Sequence, residues 1–156
     1  MPADPFLDEG SRVLAPEVFE FVFRNELKRA LRSQNFLTFV LVEPHTSGDP
    51  GDAVRDVARL ISRDIRETDL LAQTPAGALS LVLLDADLPN SLRVIDRLLD
   101  LLQQYQFPSA VTIDVAAACC PTHGSDADSL RRVAASRSAM PRRGSGGTNS
   151  NGSAIG

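Results

Sequence analysis

Lysine is nearly missing from this chain. Lys28 is the only one, and every other cation is an arginine. A cationic pocket here must therefore be built from guanidinium groups, whose planar fork matches phosphate oxygens better than an ammonium does. Cysteine is almost as scarce: Cys119 and Cys120 are the only two, and they are adjacent. Neighbouring cysteines rarely reach disulfide geometry, so the chain reads as reduced and cytoplasmic. No charged segment followed by an apolar run opens the sequence, and no stretch approaches the length of a membrane span. Positive charge is not in excess either. The formal net charge is −4, which gives no reason to expect a nucleic acid as partner. The two histidines, His45 and His123, fall in segments that read as loops, with no ligand spacing around either. Surface histidines are expected there rather than a metal site, and no cofactor is expected.

What is present is enough for one domain. The chain has 156 residues, 43% of them hydrophobic, which suffices for a real core. Residues 1–11 are rich in Pro, Asp and Gly and read as a flexible arm. From Pro16 to Arg32 the apolar residues Phe19, Val22, Phe23, Leu27 and Leu31 recur near helical spacing, with a proline suited to the first turn. Leu37–Val42 is a buried strand by its β-branched and aromatic content. His45–Gly51 reads as a loop, and Ala53–Arg66 as a helix. Asp69–Gln73 and Leu79–Leu84 are strands joined by a turn at Thr74–Gly77. Leu88–Gln104 is the clearest helix, with Leu92, Ile95, Leu98, Leu99 and Leu102 on one face. Ala110–Ala118 is a strand, after which Cys119 and Cys120 should point one inward and one outward. Ser125–Ser136 reads as a short helix opened by a capping box from Ser125 to Asp128. Residues 141–156 hold almost nothing apolar and read as a disordered tail. The core order is strand, helix, strand, strand, helix, strand. That is an α+β, ferredoxin-like βαββαβ core with an extra N-terminal helix. Such a core hosts many unrelated functions.

Certain residues narrow the field. Asp8–Phe19 (DEGSRVLAPEVF) is similar to the motif D-x-L-T-G-L-x-N-R-x-x-F, with Arg12, Ala15 and Pro16 in place of its Gly, Asn and Arg. Val111–Pro121 (VTIDVAAACCP) is similar to V-T-x-S-x-G-V-A-x-x-P, and Asp114 stands at its serine. Ser125–Arg132 is similar to the helix that follows. In this order and spacing, residues 8–140 resemble the GGDEF domains of bacterial diguanylate cyclases. The resemblance implies a nucleotide cyclase-type fold. It also implies a catalytic hairpin after a strand of the form D-x-x-A-R-x, which matches Asp69, Ala72 and Gln73.

At that hairpin the signature G-G-D/E-E-F has become Pro75-Ala76-Gly77-Ala78-Leu79. In the family its carboxylates join an early aspartate in holding a divalent ion on GTP, and this chemistry needs oxygen ligands around the ion. Gly77 and Ala78 offer none, and Pro75 removes a backbone N–H as well. The early aspartate corresponds best to Glu43. The element that binds guanine in the family is cut short here at His45–Asp52. The resemblance thus implies a pseudo-cyclase rather than an enzyme.

A second family feature is kept. Many of these cyclases bind their product, cyclic di-GMP, at an inhibitory site marked R-x-x-D just upstream of the signature. Arg66-Glu67-Thr68-Asp69 fits that motif at the right offset. Arg93 and Arg97 of the next helix lie four apart, hence on one face, where the family places further arginines. Guanidinium forks suit the two phosphates and the guanine edges. The resemblance therefore implies a domain that binds cyclic di-GMP through Arg66, Asp69, Arg93 and Arg97 and regulates a protein partner or acts within a homodimer. The alternative is an interaction or dimerisation module independent of nucleotide. A plain structural reading of the same four residues also stands: a helix-end arginine, two solvated arginines, and an aspartate that opens a strand.

Overall fold

A computed structural model describes residues 12–138. The expected arm (1–11), the tail (141–156) and the last two residues of the expected domain lie outside the described residues. Eight elements follow one another: α1 (Pro16–Ser33), β1 (Leu37–Thr46), α2 (Pro50–Asp64), β2 (Leu70–Gln73), β3 (Leu79–Leu84), α3 (Leu88–Gln104), β4 (Val111–Cys120) and α4 (Ala127–Ser138). The strands form one antiparallel sheet in the order β2-β3-β1-β4. This is the expected ferredoxin-like core with a helix in front.

The sheet is covered on both faces. Even-numbered β1 residues, Val40 and Val42, pack with Val57 and Ile61 of α2 and Ile95, Leu98 and Leu102 of α3. Odd-numbered residues, Leu37 and Phe39, pack with Phe19, Phe23 and Leu27 of α1 and Leu130 and Ala134 of α4. Strand periodicity alone assigns each side chain to one of these two cores. Because both faces are covered, neither cysteine points outward. Cys119 and Cys120 are both fully buried, and burial, with its neighbour second, pushes the Cys120 thiol up from its ordinary value.

Element ends depart from expectation where tertiary pairing decides them. β1 runs four residues past Val42. Val42 is the partner of Leu79 at the start of β3, but β4 continues alongside β1 and pairs Glu43 with Asp114 and Thr46 with Val111. Pro44 is accommodated because β1 has no β3 partner on that side there. The expected loop at His45 is thus the end of a two-stranded overhang. α2 starts earlier, because Asp49 caps it by accepting from Gly51 N–H and Pro50 supplies the first turn. α4 is capped by Asp126, whose carboxylate accepts from Ser129 N–H at 2.7 Å, rather than by Ser125. Ahead of α1, Leu14 N–H donates to Leu71 O at 2.8 Å and lies parallel to Ala72, so this segment extends the sheet at β2.

Candidate functional site

The β2–β3 hairpin is a compact local structure. Gly77 N–H donates to Thr74 O at 3.1 Å, and Thr74 N–H donates to Ala78 O at 2.8 Å. Gly77 has φ of +84°. A turn closed from the first residue to the fourth, with that fourth residue left-handed, is the common three-residue hairpin loop, with Pro75 at its favoured second position. A Cβ at Gly77 would meet nothing within 4 Å, so glycine is needed for its backbone freedom and not for space. Thr74 Oγ1 accepts from Ala78 N–H at 3.1 Å. Ala78 and Leu79 are buried while Pro75 and Ala76 are exposed. None of the five signature positions carries a side-chain oxygen. Asp52, which the resemblance sets near the end of the guanine-binding element, is exposed on the first turn of α2 and pairs with Arg55.

The arginine cluster lies at the opposite end of β2 and β3. Asp69 is buried ahead of β2. Its carboxylate accepts from Arg66 N–H and from Leu84 N–H, both at 3.1 Å, so it closes the Arg66–Asp69 turn and ties down the end of β3. The Arg66 guanidinium reaches Asp69 at 3.5 Å and donates to Leu84 O, yet 60% of its side chain stays exposed. Arg97 donates through Nε to Asp64 at 2.7 Å and is 55% exposed, which sets it beside the end of α2 two residues before Arg66. Arg93 is exposed one turn earlier on α3. The fold brings Arg97 to the α2 terminus that leads into the R-x-x-D turn, and both it and Arg66 keep N–H donors beyond those already in use.

Arg12 completes this end of the molecule, and motif matching missed it. Its guanidinium donates to Arg66 O at 2.9 Å, Glu67 O at 3.0 Å and Ile65 O at 3.5 Å. Its backbone N–H donates to Ser62 Oγ at 3.0 Å. One cation thus satisfies carbonyls left open where α2 ends. The only signal was an arginine in a position where the resembled motif carries glycine.

A third grouping lies on the β1–β4 overhang. His45 Nε2 stands 3.0 Å from Asp114 Oδ2, and one ligand atom each from Glu43, His45 and Asp114 fall within 4.8 Å of one another. His45 therefore has two carboxylates nearby, Asp114 across the sheet and Glu43 two residues back on its own strand. His123 is also not a free surface group. Its Nδ1 accepts from Cys119 N–H at 2.9 Å, and Arg137 Nη2 lies 3.1 Å from its Nε2. Burial first, and the Arg137 charge second, hold its pKa below the ordinary value.

No family model matches the sequence, and no curated protein matches it. Solved structures do. The GGDEF domain of FimX from Pseudomonas aeruginosa superposes with a TM-score of 0.71 at 14% identity, covering 84% of this chain and 90% of that one. The fold is that of GGDEF domains. The GGDEF domain of YfiN (TpbB) from Pseudomonas aeruginosa gives 0.67 at 19% identity, over 84% of each chain. The coiled coil and GGDEF domain of DgcB from Caulobacter crescentus, in complex with c-di-GMP, gives 0.67 at 11% identity, over 84% of this chain and 77% of that one. Among the described residues no helix is long and apolar enough to cross a membrane.

Proposed function

We propose that this GGDEF-fold domain is a catalytically silent receptor that binds cyclic di-GMP through Arg66, Asp69, Arg93 and Arg97 and regulates a partner protein. The observation that carries the reading is a contrast between the two ends of β2 and β3. The hairpin at one end has no carboxylate to hold an ion on a triphosphate. The other end keeps two half-exposed guanidinium groups, Arg66 and Arg97, beside a turn held by Asp69 and Arg12. Arg66 and Arg97 supply bidentate donors for phosphate and guanine edges, and Arg93 adds positive charge on the same helix face. Asp69 fixes the turn that presents Arg66. The complexed DgcB domain is consistent with this ligand class.

Calorimetric titration with cyclic di-GMP tests the proposal. Wild type binds. Arg66→Ala and Arg97→Ala each lose about 1.5–3 kcal/mol of binding free energy, the worth of a hydrogen bond to a charged group. Incubation with GTP and magnesium or manganese yields no cyclic di-GMP. A second reading follows from the internal partners that Arg66 and Arg97 already have, Leu84 O with Asp69 and Asp64 respectively. In that reading the arginines are structural and the domain is a nucleotide-independent interaction or dimerisation module. Absence of heat in the wild-type titration selects it.

A further inference from the structure

We propose that Glu43, His45 and Asp114 together hold one divalent transition-metal ion, with zinc as the metal of choice. This is independent of the cyclic di-GMP reading, because it lies on a different part of the sheet and involves none of the same residues. It shares one position, Glu43, with the metal site that the resemblance implies, but the hairpin contributes nothing and Asp114 stands where the resembled motif has a serine.

The geometry comes from sheet register. Glu43 and Asp114 are direct cross-strand partners in the β1–β4 pair, and His45 is two residues beyond Glu43 on the same strand. The two-residue period puts all three on the face that carries α1 and α4. Burial on that face falls steadily along β1. Leu37 and Phe39 are buried, Leu41 and Glu43 are half-buried, and His45 is exposed. The three side chains therefore sit where the helices stop covering the sheet, open to an ion from solvent yet held by paired backbone.

The chemistry of the set favours a cation. Glu43 and Asp114 are directly opposite each other across the antiparallel pair, so two carboxylates share this end of the sheet with an imidazole, and a divalent ion placed among them is attracted to both. Three ligand atoms from two carboxylates and one imidazole lie within 4.8 Å of one another, and a tetrahedral ion with bonds near 2.1 Å draws its ligands to about 3.4 Å apart. The His45–Asp114 contact is 3.0 Å, and an ion entering the set takes the place of the proton shared between these two groups. Imidazole selects zinc and its neighbours over magnesium. Water completes the coordination, and the ion carries a net neutral charge with its two carboxylates.

The test uses the full chain, stripped with chelator and titrated with zinc chloride by calorimetry, with cobalt(II) absorption as a report on imidazole ligation. One zinc per chain is expected, with a raised thermal midpoint and cobalt bands in the visible. His45→Ala and Asp114→Asn should each weaken zinc at least tenfold and remove the bands. Asp52→Asn, an exposed acid outside the cluster, should change neither, and circular dichroism verifies that each variant is folded. Absence of zinc binding by wild type overturns the proposal. So does binding that survives both His45→Ala and Asp114→Asn, or magnesium binding as tight as zinc and indifferent to His45.

Discussion

Replacing Asp69 by alanine separates the structural work of the R-x-x-D segment from the ligand binding proposed for it. The carboxylate is buried and accepts from two backbone donors, Arg66 N–H and Leu84 N–H, each at 3.1 Å. Alanine leaves both donors without their acceptor. A buried unsatisfied donor costs about 1–3 kcal/mol, and two at about 1.5 each give a loss of about 3 kcal/mol. The ion pair with Arg66 adds little to this, because that guanidinium is 60% exposed at 3.5 Å. For a domain of this size the loss lowers the thermal midpoint by about 10 °C. Asp69→Asn keeps one acceptor oxygen and should cost about half as much. Arg66→Ala should cost under about 1 kcal/mol of stability and, on the proposed function, weaken cyclic di-GMP. Urea denaturation of the three variants, with unchanged slopes, measures all of this. If Asp69→Ala unfolds within about 0.5 kcal/mol of wild type, the carboxylate does not hold the turn, and the structural half of the reasoning fails.

Arg12→Ala removes three carbonyl contacts at the end of α2 and should destabilise by about 1–2 kcal/mol; an unchanged denaturation midpoint would refute the clamp. The depressed His123 pKa means that the unfolded chain takes up a proton which the folded imidazole resists. Its contribution is whole above the ordinary histidine pKa and falls as pH drops from there toward the lower folded value, so His123→Gln should flatten the stability profile just below the ordinary histidine pKa of about 6.5. Cys119 and Cys120, both at 0% exposure, should resist iodoacetamide in the native state and react together on unfolding; rapid labelling of folded protein would contradict the two-sided core.

Residues whose partners lie nearby in sequence were legible. Leu88–Gln104 was read to its ends, because its leucine stripe marks the core face and Asp87 caps it locally by accepting from Asn90 N–H. The Thr74–Gly77 turn followed from Pro75 and Gly77. What failed needed distant pairing. Glu43-Pro44-His45-Thr46 has the composition of a loop, and only the register with Val111–Asp114 makes it a strand. The same register joins His45 to Asp114, a contact spanning 69 positions. Arg12 finds its carbonyls 53 to 55 positions away. The R-x-x-D spacing was visible, but the second duty of Asp69, holding Leu84 N–H, was not.

That second duty changes what a retained motif means. A buried carboxylate that closes a turn and anchors a strand end is costly to lose whether or not a ligand is bound, so Asp69 alone says little about cyclic di-GMP. Arg66 and Arg97 are different. Their side chains are more than half exposed, and ion pairs this exposed contribute under about 1 kcal/mol to folding. Stability therefore gives weak grounds for having guanidinium groups there, and a doubly charged ligand gives strong ones. A further contrast points the same way. The hairpin is a self-sufficient turn whose exposed tip is Pro75 and Ala76, so that end of the sheet needs no ion to hold its shape. If Arg66→Ala and Arg97→Ala each cost as much folding stability as Asp69→Ala, this asymmetry disappears, and with it the reason to look for a ligand at the arginines.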